Sequence, residues 1–430
     1  MKYGLIGKKL GHSYSKAIHG LLGNSDYELV EIPPEEVADF MKKADFLGVN
    51  VTIPYKETVM PFVTPDEAAK KIGCVNTIVN RGGELFGYNT DYFGFLYTAE
   101  RAGISFDGRK ALILGSGGTS KTAACAAKDA GAAEIVVVSR TGENNYGNIT
   151  RHADADIIIN TTPVGMFPDT GSAPVDLKLF EKPEAVIDVV NNPLRTRLAL
   201  EAAALGLKTA GGFPMLVAQA ARAHEIFFAE VSVGTYNFDT VRRTVSKLYV
   251  PTDTMGAQKG TSLLCEAIIS EMEKRISNIV LIGMPGSGKT TIGKALALRI
   301  GRAFVDTDDV IEAETGRKAP EIIREEGEAA FRKYERRAVA EAAARSGLVI
   351  ATGGGAVLAE ENRFALRQNG TIFFLERELE KLATDGRPLS ADLPTLYRQR
   401  LPIYESLCQC RIKVTENTDE SVQNIMEALL

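Results

Sequence analysis

The sequence predicts an α/β protein built around parallel sheets, and three observations predict it. Short β-rich runs alternate with alanine-rich helical stretches along almost the whole chain. Two junctions run from strand through glycine-rich turn to helix. One is KALILGSGGTSKTAACAAKDAGA at 110–132, followed by the strand EIVVVSR; the other is NIVLIGMPGSGKTTIGKALALRIG at 278–301, followed by AFVDTD. The 430 residues, 45% apolar and 24% charged, have the balance of a folded chain and make two or three domains at roughly 150 residues each.

Several function classes drop out at once. A formal charge of −5 leaves no electrostatic footprint for general nucleic-acid or anionic-membrane binding. Cys74, Cys125, Cys265, Cys408 and Cys410 are too scattered for a disulfide scaffold, so a cytoplasmic location is expected. Cys408 and Cys410 lack the second pair that a zinc site needs. His12, His19, His152 and His224 show no metal-ligand spacing and are expected at the surface or in packing. No apolar run approaches the ~20 residues of a membrane span, and the amino end lacks a signal-peptide core. The two glycine patterns differ, so they are two nucleotide sites rather than a repeat. Between them, residues 251–277 read as a linker and a bridging helix. PTDTMGAQKGTS (251–262) is small and polar, and the helix that follows has Leu264, Ile268, Met272 and Ile276 along one face.

Gly283-Met-Pro-Gly286-Ser287-Gly288-Lys289-Thr290 matches G-x-x-x-x-G-K-[ST] after an apolar strand and at the start of a helix, which is a P-loop. Backbone N–H groups of Gly286, Ser287 and Gly288, with Thr291 behind them, would cradle the phosphates of ATP. Lys289 would bridge the outer phosphates, and Thr290 would offer its hydroxyl to Mg²⁺. Downstream stand Asp306-Thr-Asp308, Phe331-Arg332, Gly353-Gly354-Gly355, Arg387-Pro-Leu and Arg400. In order and spacing, residues 278–430 resemble shikimate kinase. The resemblance implies that Asp306 helps hold Mg²⁺, that Asp308 takes the acceptor hydroxyl's proton, and that Arg332 and Arg400 clamp the substrate carboxylate. It also implies that Glu335 orients Arg332, that Gly354 and Gly355 let backbone approach the ring, and that Arg387 swings in on a lid.

Gly115-Ser116-Gly117-Gly118-Thr119-Ser120 opens the helix after KALIL, with glycines placed for a tight turn and a close pyrophosphate approach. Ser120 replaces the third glycine of G-x-G-x-x-G. The next strand ends in Ser139-Arg140-Thr141 rather than in an acidic residue, which suits the ribose 2′-phosphate of NADP(H). A Rossmann-like NADP domain is therefore expected over 99–212.

The first hundred residues hold His12-Ser13-Tyr14-Ser15-Lys16, Asn50-Val-Thr52-Ile-Pro54-Tyr-Lys56, Val75-Asn76-Thr77 and Asn89-Thr90-Asp91. These hydroxyls and amides suit a polyhydroxylated ring. With NTTPVGM (160–166) and PMLVAQAA (214–221), residues 1–250 resemble shikimate dehydrogenase. The resemblance implies a substrate domain over 1–98 completed by helices from 213–250. Ser13, Ser15, Thr52, Asn76, Asp91 and Gln219 would bind shikimate. Lys56 and Asp91 would form the catalytic pair, and Asn160 with Gly165-Met166 would flank the nicotinamide.

Two departures stand out. Asp188-Val-Val-Asn191-Asn192-Pro193-Leu194 has an amide where many members carry a tyrosine. The segment TGENNYGNITRHADA is too short for a full crossover helix. The resulting reading is a bifunctional enzyme acting on small molecules. One half would reduce 3-dehydroshikimate with NADPH; the other would phosphorylate shikimate with ATP and Mg²⁺. Two rivals stay open: a quinate/shikimate dehydrogenase fused to the kinase, and a non-catalytic sensing module beside an active kinase. Oligomeric state stays open too, a monomeric kinase half included.

Overall fold

The computed structural model describes residues 1–11, 13–228, 257–382 and 393–429. His12, residues 229–250 and Arg387 with most of its lid lie outside the described residues. The chain forms two compact units. The first comprises Met1–Val164, Ala173–Asn192 and Glu201–Met272; the second comprises Gly165–Ser172, Pro193–Leu200 and Glu273–Leu430. The expected substrate and dinucleotide domains thus fall in one unit, apart from two short segments. Among the described residues no helix is long and apolar enough to cross a membrane.

The first unit starts β1 (Tyr3–Gly7), α1 (Ser15–Leu21), β2 (Tyr27–Glu31), α2 (Val37–Lys43), β3 (Gly48–Val51) and β4 (Thr64–Pro65). There follow α3 (Glu67–Ile72), β5 (Thr77–Arg81), β6 (Glu84–Tyr88) and α4 (Thr90–Arg101). The strands form a six-stranded sheet in the order β2-β1-β3-β5-β6-β4. Parallel sheets were expected; this one is parallel in part, with β5 antiparallel to both β3 and β6. The cause is the hairpin at Arg81-Gly82-Gly83-Glu84, where Gly82 and Gly83 take φ of 65° and 97°. Two successive positive φ values make a tight turn that matches strand twist.

Next come β7 (Lys110–Leu114), α5 (Gly118–Asp129), β8 (Glu134–Val138), β9 (Ile157–Asn160), β10 (Ala185–Asp188), α6 (Arg197–Ala204), β11 (Lys208–Ala210) and α7 (Gly212–Phe228). Strands β7 to β11 make a parallel sheet in the order β11-β10-β9-β7-β8. Ile113, Ile159 and Ile187 pack with Ala123 and Ala126 of α5. As expected, no α-helix joins β8 to β9; a single 3₁₀ turn at Ile149–His152 does. Helix α7 returns to the first sheet: Gly48 of β3 has no Cβ, and one there would lie 2.4 Å from the Phe227 ring. Gly94 does the same for α4, where a Cβ would lie 2.7 Å from the Met215 carbonyl oxygen of α7.

Helix α8 (Ala257–Ile276) starts inside the stretch expected as linker, so residues 257–262 are helical. Cys265, Ile268, Ile269 and Met272 are buried, and this packed stripe supplies the stability that short polar sequence lacks. Leu264, placed on the buried face by spacing alone, is only half-buried.

The second unit continues with β12 (Asn278–Ile282), α9 (Lys289–Ile300), β13 (Phe304–Asp306), α10 (Thr307–Thr315), α11 (Ala319–Glu326), α12 (Glu328–Ala344) and β14 (Val349–Ala351). It ends with α13 (Glu360–Asn369), β15 (Gly370–Glu376), α14 (Leu393–Leu407), β16 (Cys410–Lys413) and α15 (Thr418–Ala428). The sheet is parallel, in the order β13-β14-β12-β15-β16, a P-loop kinase arrangement. Strand β12 shows why its sequence is apolar after Asn278. Val280 and Ile282 face one core, Ile279 and Leu281 the other, so both faces are covered.

Two of the histidines expected at the surface or in packing are packing residues in the first unit's core. His19 is fully buried and stacks on Tyr27 at 3.9 Å, and His224 of α7 lies 6.4 Å away. Burial, and then the neighbouring His224, pushes His19 down to about 3; burial takes His224 to about 4. Both rings stay neutral in the folded chain while the unfolded chain protonates them below about pH 6.5. Their contribution is therefore complete above that pH and is lost as the pH falls toward 4. Each ring should remove about 1.4 kcal/mol of stability per pH unit across that window. The thermal midpoint followed from pH 7 to 5 should drop, and more steeply for the wild type than for His19→Phe. Equal slopes would contradict the assignment.

Candidate active sites

The first site forms where β3 ends, α4 begins and α7 passes. Beyond β3 the chain carries Thr52, a cis peptide at Ile53–Pro54 and then Lys56. Lys56 Nζ donates to Asp91 Oδ2 at 2.5 Å, both side chains being largely buried. Asp91 is held there because Asn89 caps α4, its side chain accepting from the Tyr92 N–H at 3.2 Å.

Around this pair lies a buried amide and hydroxyl network. Asn76 Nδ2 donates to Thr90 Oγ1 at 3.1 Å and to Gln219 Oε1 at 3.4 Å, and Thr90 Oγ1 donates to Gln219 Oε1 at 3.4 Å. Behind them Asn50 donates to Thr77 Oγ1 and accepts from the Tyr27 hydroxyl at 2.7 Å. Ser13 Oγ accepts from the Ser15 N–H at 3.2 Å at the mouth of α1. The structure thus pairs Lys56 with Asp91 and Asn76 with Gln219, and ties Thr90, next to Asp91 in the chain, to the second pair, a partner that sequence reasoning passed over. The run Asn89-Thr90-Asp91 was in view, but only the partners of the Thr90 hydroxyl reveal its place.

The dinucleotide turn opens beside the same pair. Gly115 takes φ of 110°, and a Cβ there would lie 2.7 Å from Thr161 Oγ1. At Gly117, the residue before α5, nothing comes within 4 Å of an added Cβ and no side chain caps the helix. That leaves an open helix N-terminus, the ordinary seat for a phosphate. Lys56 Cδ and Cys74 Sγ come within 3.8 Å and 3.6 Å of a Cβ built at Gly118, so substrate cleft and turn are adjacent. The Gly115 N–H donates to the Val138 carbonyl at 2.8 Å, which brings the end of β8, and with it Ser139, Arg140 and Thr141, next to the turn. Arg140 is exposed. Asn160 is fully buried and donates to Asp188 Oδ1 at 3.0 Å. Met166 is 43% exposed and lies on a segment grouped with the second unit.

The second site sits at the carboxyl ends of β12, β13 and β14, in a cleft of about 620 Å³ lined by Gly286, Lys289, Asp306, Asp308, Arg332 and Arg400, among others. The P-loop fits a triphosphate. Gly283, Gly286 and Gly288 all have positive φ, and Ser287 Oγ is buried without a partner. Lys289 Nζ donates to the carbonyls of Gly283 and Met284, both at 2.9 Å. Thr290 Oγ1 donates to Asp306 Oδ2 at 2.6 Å, two hard oxygens of the kind that bind Mg²⁺ with phosphate and water.

Asp306 also caps α10, its other oxygen accepting from the Asp308 N–H at 3.0 Å. Burial, and then the charges of Asp306 and Glu335, pushes Asp308 up to about 6. Arg332 Nη1 donates to Glu335 Oε2 at 2.9 Å, so Glu335 sets the direction of this guanidinium. Arg400, 5% exposed, donates to the Gly354 carbonyl at 3.1 Å. The three glycines are needed for different contacts. An added Cβ would lie 3.0 Å from both Asp308 Oδ1 and Glu335 Oε1 at Gly353, 2.7 Å from Pro285 at Gly354, and 2.6 Å from Arg332 Nη1 at Gly355.

Comparison with known proteins agrees with both geometries. Residues 5–78 match the family model for the shikimate dehydrogenase substrate binding domain. A shikimate dehydrogenase (NADP(+)) from Clostridium perfringens is 38% identical over 247 residues, 52% of this chain and 91% of the relative. The chain belongs to the shikimate dehydrogenase family. Shikimate dehydrogenase 1 from Peptoclostridium difficile, a solved structure, is 34% identical with a TM-score of 0.51, covering 58% of this chain and 98% of its own. A chorismate mutase/shikimate 5-dehydrogenase fusion protein from Clostridium acetobutylicum is 35% identical with a TM-score of 0.50, covering 57% and 96%. Residues 285–430 match the family model for shikimate kinase. The chain thus joins a shikimate dehydrogenase half to a shikimate kinase domain.

Proposed function

We propose that this chain, acting in the cytoplasm, catalyses two consecutive reactions. The first is reduction of 3-dehydroshikimate to shikimate by NADPH. The second is phosphorylation of shikimate to shikimate 3-phosphate by ATP with Mg²⁺. The observation that carries the first is the Lys56–Asp91 pair at 2.5 Å beside the dinucleotide turn. A sensing module has no need of that pair, and Arg140 favours NADPH over the NADH of a quinate-type enzyme.

When bound, NADPH supplies the hydride and Mg·ATP the phosphoryl group. The residues do the rest. Lys56 gives a proton to the ketone oxygen, with Asp91 holding the ammonium and a ring hydroxyl in place. Ser13, Ser15, Thr52, Asn76 and Gln219, with Thr90, bind the ring. Gly117, Gly118 and Thr119 would receive the pyrophosphate, and Ser139, Arg140 and Thr141 the 2′-phosphate. In the kinase domain Asp308 accepts the proton of the attacking hydroxyl, and its raised pKa makes it a stronger base than an ordinary carboxylate. Arg332 and Arg400 grip the carboxylate. Lys289 and Arg387 meet the charge on the transferring group, and Thr290 with Asp306 holds Mg²⁺.

Lys56→Ala should cost about 10²–10⁴-fold in NADPH oxidation and leave shikimate phosphorylation intact. Lys289→Ala should do the reverse. Steady-state assays of both activities on each variant decide it, and loss of both activities in both variants would refute two independent sites. Gly355→Ala should displace the Arg332 guanidinium and raise the KM for shikimate in phosphorylation by about tenfold or more, since a charge-assisted hydrogen bond is worth about 1.5–3 kcal/mol. An unchanged KM would remove Arg332 from the clamp.

A further inference from the structure

Helix α8 lies outside the part of the chain matched by the kinase family model, which begins at residue 285. Solved relatives occupy only 57–58% of the chain while nearly complete themselves. Yet up to Met272 this helix is part of the first compact unit. Its contacts fall on two helices that carry the reduction site. Glu266 Oε1 accepts from the Tyr97 hydroxyl at 2.6 Å and from Arg101 Nε at 2.8 Å, both on α4. Thr261 Oγ1 donates to Glu225 Oε1 at 2.7 Å, on α7. Cys265, Ile268, Ile269 and Met272 are buried.

Helix α4 begins with Thr90 and Asp91, and α7 carries Gln219. The two helices meet through Gly94, where backbone nearly touches backbone, so a shift of α4 along its axis moves Asp91 against Lys56 and Thr90 against Gln219. Tyr97 is 8% exposed, and its hydroxyl at this edge has a carboxylate from α8 as partner. One charged side chain from α8 therefore fixes the far end of the helix that carries Asp91.

We propose that Glu266 is a positioning residue for ketone reduction, acting through α4 on Asp91. The proposal rests on the dehydrogenase reading above. A carboxylate gripping both a phenol and a guanidinium sets the register of α4 against α8 more tightly than apolar packing alone, because hydrogen bonds are directional where packing is not. Misplacement of a catalytic group by about 1 Å, even by a change far from the chemistry, slows the reaction.

The test compares full-length wild type with Glu266→Ala, Glu266→Gln and Tyr97→Phe. Each is measured for 3-dehydroshikimate-dependent NADPH oxidation, shikimate phosphorylation and thermal midpoint. Glu266→Ala should lower kcat for reduction by about three- to tenfold, with KM for NADPH and phosphorylation unchanged. Tyr97→Phe, which removes only a hydroxyl, should shift kcat in the same direction by less. Glu266→Gln should stay close to wild type, since its carbonyl oxygen accepts from both donors. A Glu266→Ala chain with a lower thermal midpoint but wild-type kcat and KM would overturn the proposal, leaving α8 a purely structural brace. Equal losses in the Gln and Ala variants would overturn it as well. Should Glu266→Ala fail to fold, Tyr97→Phe decides: a lowered kcat supports the proposal and a wild-type kcat overturns it. A wild type that oxidises no NADPH with the ketone would refute the dehydrogenase reading itself, an outcome distinct from a working wild type with insensitive variants.

Discussion

Backbone N–H groups at a helix N-terminus hold a phosphate where no side chain stands in the opening. Both halves of this chain are built around that constraint. In the first, Gly115 turns with φ of 110° and Gly117 leaves its surroundings clear ahead of α5. In the second, Gly283, Gly286 and Gly288 turn ahead of α9. Each opening lies at the carboxyl edge of a parallel sheet, where neighbouring strands also end, so further groups gather there without long loops. Ser139-Arg140-Thr141 follows β8, Asp306 ends β13, and Gly353–Gly355 stand just beyond β14.

The acceptor and ketone pockets obey a second constraint, that buried polar groups need partners. Asn76, Thr90 and Gln219 satisfy one another across three elements, with Asn50, Thr77 and Tyr27 supporting them from behind. Arg332 is paired with Glu335, and Arg400 with the Gly354 carbonyl. Both arginines are thus oriented by their neighbours. In the proposed role as a carboxylate clamp, this preorganisation would keep the cost of ordering them on binding low.

Legibility followed locality. The P-loop and the Gly115–Thr119 turn each span a few consecutive residues with fixed dihedral demands, so they could be read directly. Lys56, Asp91 and Asn76 were readable through their runs. Thr90 was not, because its role depends on Gln219, which lies far away in sequence. The antiparallel strand β5 had a local signal, the Gly82-Gly83 turn, that the dominant βα alternation masked. Helix α8 was foreseen by spacing, but its start at Ala257 was not. That boundary depends on packing against α4 and α7 rather than on the composition of 251–262. The charged clasp at Glu266 joins residues from distant parts of the chain and leaves no pattern in either.

The central claim is that one polypeptide performs both steps in succession. The most direct measurement supplies purified chain with 3-dehydroshikimate, NADPH, ATP and Mg²⁺ and no other enzyme, and follows NADPH oxidation and ADP formation together. The account predicts that shikimate 3-phosphate accumulates with one ADP formed per NADPH oxidised once shikimate reaches its steady level. NADPH oxidation with no ADP, or ADP formed only when shikimate is added from outside, would contradict it.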